Sequence, residues 1–466
     1  MKTVNKFSYL YIFLFPVLFL CIILDDNSLK LNSYILYLFQ LIIFILYIIY
    51  NKFTIKILFS PVFVSLAFIL FYFVLGAYVT PRYIGAGTLF LPTTTIGYIF
   101  WHFSFYQLTV IIFLICNSSL FLLLINEGKY YKRTSFDGIS RDININIYYC
   151  IFLLFILVLL SRSTFFEPLM FSSFFVLTLF FCRYLRKIKR FSYRLFFYVL
   201  IIFFSLLISS ESKREIMFIV LLITFFEMLP YFNFVLHFSI KQFILALAGG
   251  SIILFLIIWA SLNRGYGNYE EVNFLSSLLY VKDYINSNLF LDYISDNLEL
   301  TAVYFNAVNC VEMFFHGDID FLFGSTLIKP LFIFFPRELF TFKPESMINI
   351  YTKSFYPYYY RIDGSIPTPF YSELFLNTYI FLPLACYYII FIFEKIYQKL
   401  LLVIYDVFDV RVAIYSMLIF TELQFVRGSG LDLLVFTCLA GLPMYFCLYL
   451  GHYYFNYCKR NTNNNK

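Results

Sequence analysis

"IYYCIFLLFILVLLSRST", residues 147–164, carries no charged side chain until Arg162. Its apolar residues follow one another without the alternation of a half-buried strand, so the run reads as a helix. In a bilayer every backbone polar group must be satisfied internally, and near-continuous runs of this kind are helical spans, not barrel strands. Arg162 then stands at the span's end, where a long basic side chain reaches polar surroundings.

The rest of the chain repeats the pattern. Of 466 residues, 62% are hydrophobic and 13% charged, and the mean hydropathy is +0.82, whereas a soluble domain is roughly half apolar. The sequence predicts an all-α polytopic integral membrane protein. Its spans fall at about 7–24, 33–50, 57–79, 96–125, 145–161, 169–183, 195–210, 216–236, 242–262, 372–393, 410–426 and 431–450, about twelve in all. The first follows Lys2 and Lys6 as a signal peptide would, but "LFLCIILDDNS" has no small-residue cleavage site, so it reads as an uncleaved span.

Basic residues set the orientation. With the N-terminus inside, the inner segments collect most of the lysine and arginine, and the short outer loops hold Lys30, Arg82, Arg162, Lys213, Arg214 and Arg427. Both termini are then expected in the cytoplasm of a bacterial cell, with the protein multi-pass in its inner membrane. This divides the chain into spans over about 1–262, an extracytoplasmic loop over about 263–371, and spans with a cytoplasmic tail over about 372–466. The net charge of +7 is scattered among spans, which argues against nucleic acid. The nine cysteines lie mostly in apolar runs without a CxxC pair, which indicates neither a disulfide framework nor a zinc site.

The outer loop is far longer than a usual connection. "FLSSLLYVKDYI", "LELTAVYFNAVNCVEMFF" and "GSTLIKPLFIFF" are apolar enough to pack, which predicts amphipathic or re-entrant helices over a cavity. No internal repeat divides the chain.

Cations gather on this outer face against the positive-inside trend: Arg214, Arg264, Arg337, Lys343 and Arg427 are the candidate anion clamps. Local ion pairing, Arg214 with Glu211 or Glu215 and Arg337 with Glu338, is the alternative for single residues. For the set, an anionic ligand is the sharper reading, since guanidinium forks suit phosphate oxygens. Glu373 in "PFYSELFLN" and His316 in "FFHGDID" are candidate general bases, with a salt bridge and an ordinary loop position as their plainer readings. The run "YTKSFYPYYYRIDGSIPTPFY" offers Tyr358, Tyr359, Tyr360, Arg361 and Asp363 for sugar binding, or as an interfacial aromatic belt. "HGDID" lacks the ligand count of a metal site.

In order, "FGSTL" (Gly324, Thr326), "FPREL" (Pro336, Arg337), "FKP" (Lys343, Pro344), "YSELFLN" (Glu373, Asn377) and "VRGSG" (Arg427, Gly428) resemble the elements of the Wzy family of bacterial O-antigen-type repeat-unit polymerases. The likeness spans about residues 205–445; the first half contributes only hydropathy. It implies a GT-C-like arrangement and a metal-independent, inverting membrane glycosyltransferase without cofactor. Such an enzyme joins undecaprenyl-pyrophosphate-linked units into O-antigen or capsular polysaccharide, with the bilayer and a chain-length regulator as partners. A flippase or exporter for lipid-linked sugars and an O-antigen ligase are the alternatives. Asp25 and Asp26 in the first outer loop keep a third open, a transferase using a lipid monophosphate sugar.

Overall fold

The computed structural model describes residues 37–49, 54–76, 147–160, 167–208, 213–232, 300–362, 364–404, 409–424 and 426–464, apart from a few positions within them. These fall into two compact units. The first takes in residues 1–132, 235–391 and 425–431, and the second residues 133–234, 392–424 and 432–466.

In the first unit, α1 (Ile55–Leu58) and α2 (Pro61–Phe68) lead into a π-helical turn, Ile69–Leu75. Ser60 starts α2: its hydroxyl accepts from the Phe63 amide at 3.2 Å, and Pro61 fills the first helical position, where a missing N–H costs nothing. The π turn points Phe73 edge-on at Tyr304 and Tyr371, with ring centroids 6.2 and 5.9 Å away. Tyr304 belongs to α7 (Leu300–His316) and Tyr371 to α11 (Phe370–Thr378), so this ring cluster ties three elements into one core. Between them come α8 (Ser325–Ile328), α9 (Met347–Phe355) and α10 (Pro357–Arg361).

The second unit is built from α3 (Ile147–Leu160), α4 (Glu167–Leu185), α5 (Phe191–Ile208) and α6 (Lys213–Met228). To these it adds the second half of α12 (Leu382–Val403), α13 (Val410–Gln424), α14 (Leu431–Ala440) and α15 (Leu442–Asn464). Residues 174–182 of α4 are all buried, and Phe175, Phe225 and Phe420 join α4, α6 and α13 through ring contacts of 6.0 and 5.2 Å. At the end of α6 the Arg186 guanidinium donates to the carbonyls of Phe226 and Glu227, which the helix leaves without internal partners.

This architecture corrects the expectation of about twelve spans. Among the described residues one helical stretch, Leu431–Cys458, is long and apolar enough to cross a membrane by length and composition. The expected spans at 7–24, 96–125 and 242–262 lie outside the described residues, and no other described stretch meets both requirements. The opening run falls in α3, of which 14 residues are described. The helix α12 reaches 22 residues but carries Glu394, Lys395 and Lys399 in its second half. With the multi-pass topology go the readings that rested on it: the GT-C-like fold, the repeat-unit polymerase and membrane glycosyltransferase activity, and the multi-pass inner-membrane location. The flippase and ligase alternatives needed the same spans. Apolar side chains nevertheless stand on outer faces, among them Tyr148 on α3, Phe196 on α5 and Tyr453 on α15.

Candidate functional site

The polar residues of the first unit meet where α7, α9 and α11 pack. On α7, Asn306, Asn309 and Glu312 recur every third residue and so lie along one side of an otherwise apolar helix. Tyr351 of α9 joins two of them. Its hydroxyl accepts from Asn309 Nδ2 at 2.8 Å and donates to Asn306 Oδ1 at 3.3 Å, and Asn306 Nδ2 donates to the Pro367 carbonyl at 2.9 Å. Burial pushes the Tyr351 phenol well above its usual range. The relay keeps neutral groups satisfied in a dry interior, where an unmet donor or acceptor is costly. The backbone after it is held as well, because Thr352 Oγ1 accepts from the Ile366 amide at 2.8 Å.

Two parts of the family-like pattern are bonded to each other. Asn377 Nδ2 donates to Thr326 Oγ1 at 2.8 Å and to the Glu373 carbonyl at 2.7 Å, fastening α11 to the start of α8. Gly324 reaches that start with φ of 81°, a left-handed conformation that favours glycine. Gly428 has φ of 128°, and a Cβ there would lie 2.0 Å from the Thr368 carbonyl oxygen, so backbone meets backbone at this point.

The candidate bases differ in setting. Glu373 is buried at 3% exposure in the first turn of α11. Burial raises the nearby Cys310 thiol, and the Glu373 charge adds to the effect. His316 stands at the end of α7, where Nδ1 and Asp318 Oδ2 are 3.0 Å apart. The "HGDID" stretch is the stop of this helix. Gly317 takes φ of 88°, its amide donates to the Phe314 carbonyl at 3.2 Å, and the Asp318 amide donates to Met313 at 2.9 Å.

Of the candidate anion clamps, Arg264, Arg337 and Arg427 lie outside the described residues, and so does Asp363. Arg214 falls in the first turn of α6, but its side chain also lies outside them. Lys343 donates from Nζ to the Phe335 carbonyl of its own loop at 3.1 Å. Among the described residues no group of three or more His, Cys, Asp or Glu could hold a metal ion.

The tyrosines of α10 do come together. Tyr356 and Tyr359 stack with centroids 5.9 Å apart and planes at 19°. Gly364 turns back against the Tyr359 ring, its amide donating to the Tyr359 carbonyl at 2.9 Å, and a Cβ there would lie 2.4 Å from the ring. Tyr358 stays 67% exposed and Tyr359 37%, and Arg361 is exposed at the same helix end. Sequence reasoning missed Asn306, Asn309, Glu312 and Tyr351. The three-residue spacing on α7 was the available signal.

Compared with known protein families, curated proteins and solved structures, the chain matches none.

Proposed function

We propose that the protein binds carbohydrate, with α10 as the sugar-contacting face. The observation that carries this reading is the exposed Tyr358 ring on a short helix that the Tyr356–Tyr359 stack and the close approach of Gly364 to Tyr359 brace. A tyrosine face suits the apolar C–H face of a pyranose, and its hydroxyl bonds ring substituents. Tyrosine also loses little conformational freedom on contact, and a ring held in place before binding loses less. Arg361 adds a donor fork for sugar hydroxyls or a uronic carboxylate. No covalent step is part of the reading.

Titration of the full chain with neutral and acidic oligosaccharides of graded length, followed by calorimetry and tyrosine fluorescence, tests it. Saturable binding is expected, with Tyr358→Ala weakening it about tenfold, the equivalent of about 1.4 kcal/mol for one stacking contact. Circular dichroism should stay unchanged, since Tyr358 is 67% exposed. Absence of saturable binding, or full affinity in Tyr358→Ala, would contradict the proposal.

A further inference from the structure

Glu312 lies in the fourth turn of α7 with its side chain fully buried. Neither carboxyl oxygen has a hydrogen-bond partner among the described residues. One turn earlier Asn309 Oδ1 also lacks a donor, while its amide group is directed at Tyr351 and at Met313 Sδ, 3.6 Å away. Two acceptor groups thus sit unmet three residues apart, close enough for neighbouring side chains on a helix to touch.

Titratable groups stand on each element packed against them. The π turn offers Tyr72, α11 offers Tyr371 and Glu373, and α9 offers Tyr351 and the exposed Lys353. On α7 itself stand Tyr304, Cys310 and His316. None donates to a Glu312 oxygen. An ionised carboxylate without donors in an apolar interior is far costlier than its neutral acid, so such a group takes a proton.

We infer that Glu312 is a proton-binding site, held as a neutral carboxylic acid in the folded protein near neutral pH, with its O–H supplied to Asn309 Oδ1. The proton comes from solvent and is the only species gained. It completes the relay that runs from Asn309 through Tyr351 and Asn306 to the Pro367 carbonyl. Burial also pushes the Glu312 carboxyl up to about 8 from its ordinary 4.5. Below about pH 4.5 both folded and unfolded chains hold the proton, and the group leaves stability unchanged. Between about 4.5 and 8 only the folded chain holds it, so the folding constant falls up to tenfold per pH unit as pH rises. Above that window both forms release it and the dependence levels off.

Urea unfolding of the full chain from pH 5 to 9, set beside Glu312→Gln and Glu312→Leu, tests the site. Both variants are neutral throughout. The ratio of the wild-type to the variant folding constant is expected to fall close to tenfold per unit up to about pH 8 and then flatten. A ratio that stays level from pH 5 to 9 with either variant would overturn the inference. If neither variant folds, the wild type decides by the carboxylic-acid signal of a chain labelled with 13C in glutamate. Titration of every glutamate near the ordinary value would overturn the site, and one titrating near 8 that persists in Glu422→Gln, which removes the other buried carboxyl without partners among the described residues, would support it.

Discussion

Glu312, fully buried in the first unit, and Glu227, with a side chain 16% exposed in the second, are carboxyls that the chain treats in opposite ways. Glu227 closes α6 between charged and polar donors: Arg194 grips its two oxygens at 2.9 Å each, and the Tyr198 hydroxyl donates to one of them. Glu312 meets no donor among the described residues. A fork of two charge-assisted bonds keeps a carboxylate ionised away from water, whereas the same group without donors is cheaper as an acid. Burial raises a carboxyl that meets no donor, and the residues opposite a carboxyl decide whether that rise is offset.

The largest effect should come from making Glu227 resemble Glu312. Arg194→Leu removes the fork and leaves a carboxylate whose side chain is only 16% exposed. Breaking a buried pair costs about 3–5 kcal/mol, and partial exposure lowers this to roughly 2–3 kcal/mol. Chemical unfolding should show that loss at pH 7, with part regained by adding Glu227→Gln. An unchanged midpoint in Arg194→Leu would erase the contrast.

A smaller effect is expected from the neutral relay. Tyr351→Phe deletes the hydroxyl between Asn309 and Asn306 and orphans an amide on each side, a loss of about 2 kcal/mol. Amide exchange at Ile366, whose backbone leans on the neighbouring Thr352, should rise with it.

The exposed pair sets the lower end. Arg411 beside Asp409 holds that carboxyl below its ordinary 3.8, with Arg411 58% exposed. Asp409→Asn should cost under about 0.5 kcal/mol at pH 7. Because the folded value is depressed, the small contribution is present at neutral pH and vanishes as pH falls through the folded value, so wild type and variant should converge in acid.

Hydropathy located helices well and their surroundings poorly. Residues 169–183 read as a span and belong to α4, but α4 buries Phe174 to Cys182 against other helices, and protein and lipid look alike to an apolar side chain. The tyrosines of α10 were legible because their density stands out. The helix stop at Gly317 was hidden because histidine and aspartate drew attention as reactive groups. Glu312 sat inside a stretch valued for its apolar content. Its spacing from Asn306 and Asn309 could be read from the chain, but its lack of donors depends on what α9 and α11 bring to it, and no local pattern encodes that.

The most direct test of the contrast between a buried carboxyl without donors and one that donors hold is an infrared difference spectrum at pH 7 between the wild type and Glu312→Gln. The account predicts loss of one protonated-carboxyl carbonyl band in Glu312→Gln, and no such loss in Glu227→Gln, where a carboxylate band should disappear instead. A carboxylate band lost in Glu312→Gln would contradict it.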